Sequence, residues 1–214
     1  MRKNSNDFPA LSREVIFIAQ HESDAKSVLD DKIFKPENNS VRILLNRIYN
    51  RADADVHELL EGLKIEIDRQ VHGLFRIKWT RNKLNPNKYY SWHVYGTVFM
   101  PQRGPRKNIG WVSLTVSYGS KTDPRLFGSF SPSHGGLDGL KKLAQRFKDK
   151  KLEVHLISEE RAKYAFWDGG DTIVWFDDKL TLKTGHDELN RQMGQATRQF
   201  FKVIKPMVKK LVAR

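Results

Sequence analysis

The hydrophobic period of this chain changes at Phe75, and that change dictates helices first and a sheet afterwards. Before it, Val56, Leu59, Leu60, Leu63, Ile67, Val71 and Leu74 recur every three or four residues, the stripe of an amphipathic helix. After it, Phe75, Ile77 and Trp79 alternate with Arg76 and Lys78, the period of a strand with one basic face. Two longer β-like runs follow at 89–100 and 109–118. Pro101, Arg103, Gly104, Pro105, Arg106 and Lys107 join them, so the pair reads as a hairpin with a cationic tip.

The rest of the chain fits around that boundary. Leu11, Val15, Ile18, Ala25 and Leu29 predict a first helix over 9–30, although the β-branched cluster at 15–18 also suits a short strand. Ser40 is placed to cap a second helix through Ile48, and Asp53 or Asp55 to start a third that ends near Gly73. Downstream come a weaker strand at 125–130, a helix after Gly135-Gly136 and a short strand at 152–157. A hairpin is centred on Asp168-Gly169-Gly170-Asp171, and a long helix runs from His186 to Val212. This order predicts an α+β protein with N-terminal helices, a central mainly antiparallel sheet with one inserted helix, and a long C-terminal amphipathic helix. Residues 1–8 are expected to be flexible. Residues 9–74 form the helical portion, joined to the basic, aromatic-rich sheet and C-terminal helix of 75–214 in one compact unit.

Charge falls along the same boundary. Of a formal net charge of +13, the window from Arg69 to Thr122 supplies +10, with ten Lys and Arg, nine aromatics and no Asp or Glu. Residues 1–68 sum to −3 and residues 123–214 to +6. Concentrated positive charge attracts polyanions, because each cation that neutralises a phosphate releases a condensed counterion. The window also lacks any carboxylate for acid–base or metal chemistry. Its candidate phosphate contacts are Arg76, Lys78, Arg81, Lys83 and Lys88, with Arg103, Arg106 and Lys107 at the hairpin tip.

Two further surfaces suit a nucleic acid. On the C-terminal helix, Leu189, Met193, Ala196, Phe200, Ile204, Met207 and Leu211 form one stripe, and Arg191, Arg198, Lys202, Lys205 and Lys209 the opposite one. No acid follows Glu188 to neutralise the basic stripe from within the helix; a solvated face is the alternative use for it. On the strand at 89–100, Tyr89, Ser91, His93, Tyr95, Thr97 and Phe99 share a face that resembles the stacking platforms used for unpaired bases. A sheet packed on both faces is the competing reading, since aromatics in strands are usually core.

Enzymatic readings find less support. The chain has no cysteine, which removes disulfides, thiolate metal sites and thiol nucleophiles. Its seven histidines form no metal-binding spacing, and no cofactor motif is present. Asp168, Asp171, Asp177, Asp178, Asp187 and Glu188 could gather Mg²⁺ for phosphoryl transfer, but Asp168 and Asp171 read better as turn formers. A restriction-enzyme type of nuclease core needs acids on strands that are acid-free here. The loop from Ser129 to Gly136, with His134, suits a strand-to-helix connection better than a phosphate cradle. The N-terminal residues 1–10 lack a secretory apolar core and no run is long enough to span a bilayer, so a cytoplasmic protein without a membrane partner is expected. The expected function is non-catalytic nucleic-acid binding, with DNA placed ahead of RNA, no catalytic residues, no metal and no cofactor. The alternatives are a Mg²⁺-dependent nuclease or other phosphoryl-transfer enzyme, and an inhibitor or adaptor that docks on an acidic protein. Oligomeric state is not readable from the sequence.

Overall fold

The computed structural model describes residues 13–18, 20–21, 39–80, 91–100, 108–117, 124–132, 145–146, 149, 155–157, 172–181 and 185–212. After a helical turn over 13–18, the elements are α1 (Asn39–Val71), β1 (Arg76–Trp79), β2 (Ser91–Phe99), β3 (Asn108–Ser117), β4 (Arg125–Pro132), β5 (His155–Ile157), β6 (Thr172–Lys179) and α2 (His186–Val212). The class is α+β, as the order of periods predicts.

One departure concerns α1. The two helices expected on either side of Asp53 are a single helix of 33 residues. Nothing between Tyr49 and Asp55 breaks it, and Tyr49 and Ala52 are buried within its continuous stripe. Asp53 does not cap a helix; its carboxylate accepts a hydrogen bond from the Trp92 indole N–H on β2. The helix ends where the pattern said it would. Gly73 takes a positive φ of 73°, and the amides of Leu74 and Phe75 both donate to the Val71 carbonyl, at 2.8 and 3.0 Å.

The sheet has six strands in the order β1-β2-β3-β4-β6-β5, every pair antiparallel. The hairpin read from residues 89–118 is present as β2 paired with β3, from Ser91 opposite Ser117 to Phe99 opposite Asn108. Its tip lies outside the described residues, as do the turn at 168–171 and most of the inserted helix, of which 145–146 and 149 are helical.

Both long helices cover one face of this sheet, α1 against β1 and β2 and α2 against β6. Trp92, Val94 and Val98 of β2, Val112, Leu114 and Val116 of β3, and Phe130 and Trp175 beyond them join one buried cluster with Leu63 and Ile67 of α1. On α2, Phe200 stacks on Trp175 at 5.0 Å between ring centroids, and Phe201 meets Phe75 at 5.2 Å. The two helices run parallel. Asn190 lies beside Gly62, Gly194 beside Glu66, and Lys205 reaches Gly73. A side chain at 194 would meet the Glu66 side chain, whose carboxylate would have to shift to make room. Among the described residues, no helix is long and apolar enough to cross a membrane.

Candidate nucleic-acid interface

The far face of the sheet is set by β1. Ile77 turns into the core and Trp79 follows it, donating its indole N–H to Asp68 of α1 at 3.0 Å. Alternation then sends Arg76 and Lys78 to the side away from the helices, where both are exposed. Pairing extends that row across the sheet. Arg76 lies opposite Phe99; Lys78 lies opposite Thr97, Thr97 opposite Trp111, and Trp111 opposite Ser131. Trp111 is 45% exposed.

A β-bulge lies beside that tryptophan. Val98 pairs with Gly110 but Phe99 with Asn108, which leaves Ile109 as the extra residue on β3. In an unbroken strand Ile109 would share the face of Trp111; here it joins the buried cluster instead. The Asn108 side-chain oxygen accepts from the Gly110 amide at 2.8 Å and holds the bulge closed. Gly110 has φ 155°, and a Cβ there would come within 2.5 Å of the Ser131 carbonyl and 2.7 Å of the Phe130 ring. No other residue fits. Trp111 was not among the candidates from sequence, although its signal was present: Trp111, Ser113 and Thr115 alternate with Val112, Leu114 and Val116.

The open patch is narrower than the stacking platform expected on the strand at 89–100. Thr97 and Phe99 are half-buried beside it. His93 and Tyr95 are half-buried as well, with rings stacked on each other at 5.9 Å and 18°. Burial lowers the His93 pKa, which favours its neutral form. Ser113, Thr115 and Ser129, further along the same face, are buried. Among the described residues of β1, β2 and β3, Arg76, Lys78 and Trp111 are the exposed ones on this face, with Thr97 and Phe99 half-buried beside them.

The remaining candidate cations divide. Arg81, Lys83, Lys88, Arg103, Arg106 and Lys107 lie outside the described residues, in the connections β1–β2 and β2–β3 that flank this patch in the chain; the Lys209 side chain also lies outside them. On α2 the acid-free reading of the basic stripe needs a correction at its first member. Arg191 pairs with Glu188 one turn earlier, through contacts of 2.9 and 2.5 Å, and with Gln192 it pushes the Glu188 carboxyl down to about 2. Lys205 is turned to architecture, donating to the Gly73 carbonyl at 3.2 Å. Arg198 and Lys202 are exposed and have no acidic partner among the described residues. Because α2 covers the helix side of the sheet, they stand on the opposite side of the molecule from Arg76 and Lys78.

Three of the acids considered for metal chemistry, Asp177, Asp178 and Glu188, are engaged locally. Asp177 pairs with Arg125 at 2.8 Å, and Asp178 accepts from the backbone amide of Lys179. Among the described residues no group of three His, Asp or Glu is placed to hold a metal ion. Asp168, Asp171 and His134 lie outside the described residues. What the patch offers chemically is cation, indole face and hydroxyl. Comparison with known families, characterised proteins and solved structures finds no match for this chain.

Proposed function

We propose that the protein binds nucleic acid without cleaving it, through the face of the sheet built from β1, β2 and β3. The observation that supports this most is the exposure of Arg76 and Lys78 on the same face as Trp111, within three strands that contain no acid. Two exposed cations alone would be ordinary surface. Set in a window of +10, next to an aromatic that the fold leaves uncovered, they match the combination of phosphate neutralisation and ring stacking on which nucleic-acid binders rely.

Arg81, Lys83, Lys88, Arg103, Arg106 and Lys107, in the chain segments on either side of β2, are the further candidate phosphate contacts. Arg198 and Lys202 supply a second, weaker attraction from the other side. A cytoplasmic location suits such a protein. The test is a titration of labelled DNA and RNA, in single- and double-stranded form, at two salt concentrations. About six phosphate contacts imply a loss of a hundred- to a thousandfold between about 50 and 200 mM salt. Affinity that does not respond to salt removes this function, and capture of an acidic protein in place of nucleic acid would replace it with the docking alternative.

A further inference from the structure

We infer that the strand bound at this face is unpaired, and that one of its bases stacks on Trp111; this rests on the nucleic-acid reading above and names its substrate class.

The first reason is the state of the indole itself. Four tryptophans lie among the described residues, and three are held by the fold. Trp92 donates to Asp53, Trp175 to the Thr197 hydroxyl at 3.1 Å, and Trp79 to Asp68 at 3.0 Å. Trp92 and Trp175 are nearly inaccessible, at 1% and 4%. Trp111 is 45% exposed, and its indole N–H has no partner among the described residues. A large apolar ring left uncovered forfeits burial free energy that the other three gain, on the order of 25 cal/mol per Å². Its cross-strand neighbours, Thr97 and Ser131, are both small, so the flat of the ring is not overlaid within its own row. The bulge at Ile109 and the restraint at Gly110 fix the backbone that presents it. Such a ring is preorganised, and stacking on it costs little ordering.

The second reason is geometric and excludes a duplex. Trp111 stands on an interior strand, with β1 and β2 to one side and β4, β6 and β5 to the other. Strands are about 4.8 Å apart, so the row from Lys78 to Ser131 alone spans about 14 Å. The major groove of a DNA duplex is about 12 Å wide and admits at most a two-stranded ribbon. This sheet cannot carry Trp111 to a base edge inside a groove. In a duplex the base faces are also occupied by their neighbours. An unpaired strand meets neither obstacle: a base can lie on the indole while a phosphate of the same strand reaches Lys78, about 10 Å away across two strands.

The experiment uses the full chain, its Trp111→Ala and Trp111→Phe variants, and short labelled oligothymidylate, oligouridylate and a mixed-sequence duplex. Stacking on an aromatic is worth enough that Trp111→Ala should weaken single-strand binding about tenfold or more, while Trp111→Phe keeps most of the affinity. Duplex affinity should change less than about twofold, since phosphates dominate there. Tryptophan fluorescence should be quenched by oligothymidylate in the wild type, and that quenching should vanish in Trp111→Phe. Equal losses on the deoxy and ribo strands mark base stacking as the shared contact; a loss on one alone assigns the strand chemistry. Single strands bound equally by wild type and Trp111→Ala would overturn the inference and leave salt-dependent nucleic-acid binding intact. Preference for the duplex would overturn it too. Absence of binding to all three probes would take down the inference together with the function beneath it.

Discussion

Lys205, late in α2, donates its ammonium to the carbonyl of Gly73, two residues beyond the end of α1. The contact places a positive charge against the C-terminal end of a helix whose last carbonyls lack partners within the helix, where the backbone dipoles favour a cation. A residue that looks like part of a phosphate-binding stripe thus links the ends of two parallel helices. Lys205→Met should lower stability by about 0.3–1 kcal/mol and leave nucleic-acid affinity within about twofold. Parallel melts and titrations on this variant check both halves.

The helix sides separate in the same way under larger changes. Phe200 is buried on the sheet side of α2 and stacks on Trp175, so Phe200→Ala should cost about 3–5 kcal/mol. A cost below about 1 kcal/mol in a denaturant titration would mean that the aromatic cluster is not the junction between α2 and the sheet.

Reversing Arg198 and Lys202 together to Glu tests whether the outer side of α2 shares the interface. Both are exposed, so the melting temperature should hardly move. Affinity should fall by less than in Arg76→Glu with Lys78→Glu, because only the sheet face offers an aromatic beside its cations. The opposite ranking would move the interface to the helix.

Asp53 makes a prediction about pH. Burial raises its pKa above the ordinary 3.8, against the opposing effect of the hydrogen bond from Trp92. A carboxyl whose folded pKa is raised favours the folded state while protonated. As pH climbs past 3.8 the unfolded chain ionises first, and stability is lost until the raised folded pKa has been passed. Asp53→Asn keeps an acceptor for the indole without the charge. Its stability relative to wild type should therefore rise through that window and stay level above it. Asp53→Ala removes the carboxylate that accepts from the buried Trp92 N–H and should cost about 1–3 kcal/mol at neutral pH. Urea titrations at a series of pH values give the comparison, and a flat difference between wild type and Asn would contradict the sign.

Local pattern made much of this legible. The stripe from Val56 to Val71, the alternation at Phe75–Trp79 and the two faces of His186–Ile204 all survive as helix, strand and helix, because each depends on near neighbours. What escaped depends on partners distant in the chain. Asp53 has the chemistry of a cap, but its partner is Trp92, 39 residues on. Lys205 and Gly73 are 132 apart. The alternation in β3 was legible, but only the pairing of Val98 and Phe99 against it shows the bulge that turns Ile109 in. The acid-free window located the candidate patch, while its width was decided by the burial of Ser113, Thr115 and Ser129, which composition does not encode.

The account stands most directly on the salt dependence of single-strand binding by the wild type and by Arg76→Ser with Lys78→Ser. Each phosphate contact on a single strand contributes about 0.7 to the slope of log affinity against log salt, so losing two should flatten it by about 1.4. The exposed substitutions should leave the melting temperature almost unaltered. A folded double variant with the wild-type slope and wild-type affinity would contradict the central claim that this face of the sheet binds nucleic acid.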